Sequence, residues 1–168
     1  MTQPTGSAAV AGRLLGSWTK LKGVPGGRWM FSRMLGRMIP YTGSLGARVL
    51  HLERGYARVG LRDRRAVRNH LGSIHAAALT NLGELASGLA LMTAAPDTVR
   101  GIPIRLTTDF LKKARGTLIA ESRASFPVVT EPIEHEAVAE IRDESGDVVA
   151  RVTALWKVSP IDAYPHQM

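Results

Sequence analysis

The chain has no cysteine among its 168 residues. Disulfides, thiolate nucleophiles and cysteine-ligated zinc are therefore excluded, and a reducing cytoplasm is the compartment we expect. No basic segment followed by an apolar one opens the chain, so "MTQPTGSAAVAGR" does not read as a secretory signal. The longest apolar tract, around Glu84, is interrupted by Asn81 and by Glu84 itself, which argues against a membrane span. Neither a Gly-x-Ser-x-Gly elbow nor a glycine-rich nucleotide loop is present, which argues against serine-based hydrolysis and P-loop chemistry. Acidic residues are missing from one region altogether: residues 1–52 carry seven Lys/Arg and no Asp or Glu. The remainder is nearly balanced, so the net charge of +8 belongs to the N-terminal segment and suggests an anionic partner for that segment.

What is present fits one globular domain with a core, at 45% hydrophobic and 21% charged residues. Residues 1–12 read as an unstructured tail. Between residues 13 and 40 a helical pattern runs with a break at "VPGG"; Met30, Phe31, Met34, Leu35 and Met38 recur at helical spacing opposite Arg33 and Arg37. Alternation in "ARVLHLERGYARVGLRDRR" predicts two strands turning near "ERG". A long helix is expected from about residue 74 to 93, and the rest is strand-like: "GIPIRLTTDFL", "GTLIAESRASF", then "EHEAVAEIRD" and "DVVARVTALWKV" flanking an "ESGD" turn. Hairpin-linked strands beside one long helix imply an α+β domain, an antiparallel sheet burying one side of the helix. The tail from residue 161 is expected to be irregular.

Glu84 lies in the middle of that helix. At about 100° per residue, Ala77, Thr80, Asn81, Gly88 and Leu91 share its side, opposite Leu79, Leu82, Ala86 and Leu89. The stripe is either a small polar face turned to water or a groove in which a carboxylate acts on a ligand.

The spacing of Asn69, Gly72, His75 and Glu84, an Asn-x-x-Gly-x-x-His followed by an acid nine residues on, resembles the hotdog-fold thioesterases of the phenylacetate-degradation type. "PIRLTTDFLKKARGTLIAESR" and "DVVARVTALWKV" are similar to that family's later strands, and the resemblance spans roughly residues 45–158. It implies a hotdog fold over residues 41–160, an antiparallel sheet wrapped around one long central helix, with residues 13–40 as a helical extension. It also implies a homodimer or homotetramer that hydrolyses an acyl-CoA thioester, with coenzyme A as part of the substrate and no separate cofactor. Glu84 would be base or nucleophile, Asn69 would orient the carbonyl or water, and His75 would position the helix start. Gly72 and the amides of Ala76 and Ala77 would line the thioester and its oxyanion. The amides at a helix start are unpaired and carry partial positive charge, which suits that task. Nine residues of helix place His75 and Glu84 about 13 Å apart along the axis and on opposite sides, so a shared site requires two subunits.

Three features depart from the family pattern. "HAA" (His75–Ala77) replaces the usual His-Gly-Gly, the acid is Glu rather than Asp, and Pro103 stands where relatives often have a water-orienting serine. The "HAA" and Pro103 departures motivate an alternative, a non-catalytic acyl-CoA or acyl-carrier binding module.

Other features are less directive. Arg65 and Arg68, with Lys112, Lys113 and Arg115, are candidates for the phosphates of coenzyme A, or else a solvated basic surface. His70 and His75 are five apart, whereas ligands on one helical face are three or four apart, so no metal is expected. His51, His135 and His166 read as structural or exposed. Trp18, Trp29 and Phe31 among arginines fit a cap packed on the core better than a nucleic-acid platform, and no nucleic-acid partner is expected. Residues 13–39 could also touch an anionic membrane surface or close over an acyl tunnel, the membrane being the less favoured.

Overall fold

The computed structural model describes residues 7–96 and 98–161. Helix α1 spans Ser7–Leu21, α2 Gly27–Met38 and the short α3 Pro40–Ser44. Residues 7–12, expected to belong to an unstructured tail, are thus helical. Strands β1 (Arg48–Glu53) and β2 (Tyr56–Leu61) follow, joined by a tight turn in which Gly55 takes φ +74°. A single 3-10 turn at Arg65–Val67 leads to the central helix α4 (Ala76–Ala94). Strands β3 (Val99–Phe110), β4 (Leu118–Arg123), β5 (Ile133–Arg142) and β6 (Val148–Pro160) complete the chain.

All six strands pair antiparallel in the order β1-β2-β4-β5-β6-β3. The sheet packs against α4, with the closest approach at Gly83: a Cβ there would stand 2.4 Å from Val152 Cβ, so only glycine lets the helix lie on β6 this tightly. At the far end, the Thr93 hydroxyl reaches Glu53 O at 3.1 Å and accepts from the Gly55 amide at 3.1 Å, tying the β1–β2 turn to the helix.

Helices α1 and α3 also pack on α4, and its polar stripe is partly covered, with Thr80, Glu84 and Gly88 half-buried. Asn81 is 8% exposed and Ser87 fully buried. Trp18 of α1 meets Phe31 of α2 edge to face at 5.2 Å, and both belong to one continuous core with Leu61, Leu82 and Val152. The N-terminal helices are therefore part of the core and not an appendage to it.

The two edges of the sheet differ. On β1 an extra residue at Leu50 breaks the strict alternation, leaving Val49 and Leu52 buried. The Val49 amide donates to Ser32 Oγ of α2 at 3.0 Å, so this edge is partly capped by the N-terminal helices. Among the described residues strand β3 pairs only with β6; it carries a bulge at Ile104 beside Pro103 and leaves Ile102, Ile104, Leu106 and Phe110 exposed.

Candidate active site along the central helix

The turn before α4 is built by Asn69. Its Oδ1 accepts from the Leu71 amide (2.9 Å), the Ser73 amide (3.2 Å) and the Ser73 hydroxyl (3.2 Å). Its Nδ2 has no partner among the described residues and remains available as a donor. Gly72 closes the turn at φ +68°, a conformation that side chains resist, and faces open space. His75 is the N-cap of α4, and its Nδ1 accepts from the Ala77 amide at 3.0 Å, leaving Nε2 as the N–H donor. One of the two amides expected to hold an oxyanion is thus occupied by the cap. The Ala76 amide makes no hydrogen bond among the described residues, and both alanine methyls are exposed at the helix start. A cavity of about 200 Å³ opens here between α3 and the 3-10 turn, lined by Tyr41, Ser44, Arg68, His75, Ala77 and Asn81.

Glu84 is half-buried further along the helix. Its Oε2 accepts from Asn81 Nδ2 at 3.1 Å, and the same amide group donates to Thr42 Oγ1 of α3 at 3.1 Å. Oε1 has no partner among the described residues. Glu84 does not line the cavity at His75, although Asn81 touches both, and the helix start and the carboxylate occupy separate stations along one chain. Thr80, one turn before Glu84, shares a 2.8 Å hydrogen bond with Thr108 of β3, which sets that strand beside the helix. Asn81 has a local sequence signal, a polar group three residues before the acid on one helical face. Thr42 has none, because it comes from a helix 39 residues away.

The basic candidates divide. Arg68 is paired with Asp63 at 2.5 Å, and Asp63 Oδ2 also accepts from the Gly116 amide at 3.0 Å. The Arg68 hydrogen bond, aided by the Gly116 amide against the opposing effect of burial, holds the Asp63 carboxyl below its usual range. Lys112 is held by Asp143 (2.7 Å) and Asp147 (2.6 Å) in the β5–β6 turn, and serves that hairpin. Arg65, Lys113 and Arg115 are exposed and make no ion pair among the described residues. Asp63 draws the two basic segments together, and the Ile74 amide donates to Ala114 O at 2.9 Å, so this basic surface lies beside the start of α4.

An antiparallel sheet around one long helix, with a capped helix start and a carboxylate in mid-helix, is the hotdog fold of the thioesterase superfamily. Within it, the chain belongs to the family described as "Domain of unknown function (DUF4442)", which matches residues 27–158. A structural-genomics protein is similar over 90% of this chain and 99% of its own, at 28% identity and a TM-score of 0.76. A Pseudomonas aeruginosa protein of unknown function, called a probable thioesterase, is 26% identical over 82% of this chain and 97% of its own, with a TM-score of 0.67. A thioesterase family protein from Silicibacter pomeroyi shares the fold at 20% identity and a TM-score of 0.62, over 77% of this chain and 96% of that one. No curated protein matches the sequence. Among the described residues no helix is long and apolar enough to cross a membrane.

Proposed function

We propose that this protein hydrolyses an acyl-CoA thioester to a free acid and coenzyme A, at a site completed by a second copy of the chain. The observation that carries the reading is Glu84: a carboxylate under cover in mid-helix, with one oxygen held by Asn81 and the other unengaged among the described residues. An oriented carboxylate beside apolar packing is suited to take a proton from water. The resulting hydroxide attacks the thioester carbonyl carbon, and the Ala76 amide and Asn69 Nδ2 are the donors for the developing oxyanion. Collapse of the tetrahedral intermediate breaks the C–S bond, and the proton held by Glu84 passes to the departing thiolate. No cofactor is needed. The name of the Pseudomonas aeruginosa protein supports the same class of reaction.

The bare edge of β3 supports self-association, because its unpaired backbone and exposed apolar side chains suit pairing with another copy. The separation of His75 and Glu84 gives that pairing a chemical purpose: the helix start of one copy would serve the carboxylate of the other. Arg65, Lys113 and Arg115 are the cations we assign to the coenzyme A phosphates. One observation favours the second reading, a non-catalytic acyl-CoA or acyl-carrier binding module: the cap that His75 makes on Ala77 leaves fewer donors for an oxyanion.

Free-CoA release across aromatic, short-chain and long-chain acyl-CoAs decides between them. Hydrolysis should fall by about 10²–10⁴-fold in Glu84→Gln and Glu84→Ala, with the fold intact by circular dichroism. Tight binding of a thioether analogue without turnover in the wild type would select the binding module.

A further inference from the structure

A second cavity, of about 320 Å³, lies between α2, α3 and β1. Arg33 and Arg37 of α2 and Arg48 at the head of β1 are among its lining residues, and among the described residues no Asp or Glu is. None of the three makes an ion pair among the described residues; Arg33 instead lies over the Trp29 ring at 5.2 Å. Arg33 and Arg37 are four apart on one helix, where like charges repel, and Arg48 brings a third. Three arginines on one lining, with no carboxylate beside them among the described residues, suit an anion, and the planar fork of a guanidinium matches a carboxylate.

The rest of the lining sets the character of the ligand. Leu35, Val49 and Leu85 form an apolar floor, and Thr42 stands on the wall with its Oγ1 taking the Asn81 amide. Its own O–H makes no hydrogen bond among the described residues. Leu85 is the neighbour of Glu84 on α4, and Thr42 is joined to Glu84 through Asn81. Glu84 itself does not line the cavity; the buried Leu35, Val49 and Leu85 form its inner part, and the exposed arginines form its outer part. Gly36 and Gly43 keep the wall thin, since a Cβ on Gly36 would stand 3.0 Å from Gly43 Cα.

We propose that this cavity takes the far end of an acyl group that ends in a carboxylate, so that the preferred substrates are monothioesters of dicarboxylic acids. The inference rests on the thioesterase reading for the position of the thioester, but the cavity itself binds without turnover. Its apolar floor takes the methylene chain, and Arg33, Arg37 and Arg48 meet the terminal carboxylate.

The test is calorimetric binding of non-hydrolysable thioether analogues of succinyl-, adipyl- and suberyl-CoA to the full chain. Each is compared with the butyryl, hexanoyl or octanoyl analogue of equal length. At the best-fitting length the acid should bind roughly tenfold more tightly than its methyl-ended partner, and the preference should fall to near one in the double variant Arg37→Gln/Arg48→Gln. Lysine at the same two positions should restore part of it, which a general loss of folding would not. No preference in the wild type, or one that survives the double variant, overturns the proposal. If affinity for free CoA falls in the double variant as much as affinity for the acid, the arginines hold phosphates and the proposal is wrong. An intact preference in a protein that releases no CoA would sink hydrolysis while leaving the pocket assignment standing.

Discussion

Asp63 links the end of β2 to the Gly116 amide and to Arg68, and so steadies both basic segments beside the helix start. Its folded pKa is depressed, chiefly by the Arg68 hydrogen bond. The stability it contributes is therefore complete above the ordinary carboxylate value of about 4 and is lost as pH falls through the lower folded value. Asp63→Asn should lower the denaturation midpoint slightly at pH 7, because Arg68 is exposed and its pairing is screened. The gap between mutant and wild type should close below about pH 4. A gap that persists at acid pH would show that the carboxylate charge is not what stabilises the turn. At this scale the sequence spoke unevenly. Asn69, His75 and Glu84 announce themselves by spacing, and Asn81 by its place on the helix. Asp63, like Thr42, is silent, because the Gly116 amide comes from a distant segment and the pairing with Arg68 follows no regular period.

Among the elements, β3 differs most from a buried strand. It reads as a strand in sequence, yet its side chains are exposed along nearly its whole length, because the helices cover little of either face. Charge on such an edge opposes pairing with another chain. In the double variant Ile104→Asp/Leu106→Lys, sedimentation should shift from the mass of an assembly to that of one chain. CoA release should fall in step if His75 and Glu84 serve one site from two copies. An unchanged sedimentation profile would move the interface elsewhere. Central helix α4 was legible as a helix but not as a covered one. Its stripe of Thr80, Asn81, Ser87 and Gly88 allowed either a wet face or a groove; α3 packs on it and Asn81 and Ser87 are buried, while Thr80 and Gly88 stay half-buried.

For the molecule as a whole, the N-terminal helices change the meaning of the domain boundary. The sequence places an extension over residues 13–40 and a domain after it, but Leu14, Trp18, Phe31 and Leu35 are buried in the same core as the sheet. Truncating such side chains costs about 2–5 kcal/mol each. Total stabilities are only about 5–15 kcal/mol. A chain beginning at residue 45 should therefore lose the cooperative thermal transition of the full chain, measured by calorimetry. A truncated protein that still unfolds cooperatively near the wild-type midpoint would show that the sheet and α4 suffice alone.

Sequence alone determined the alternation that makes hairpins, the one long helix between two groups of strands, and the spacing of the Asn, Gly, His and acidic positions. These depend on residues close together in the chain, where period and turn chemistry act directly. Packing decided the rest. It brought Asn81 and Thr42 together around Glu84, converged Arg33, Arg37 and Arg48 on one cavity, and left β3 as the bare edge. Each of these needs separate elements to meet across turns, and no local pattern records which side chains will do so.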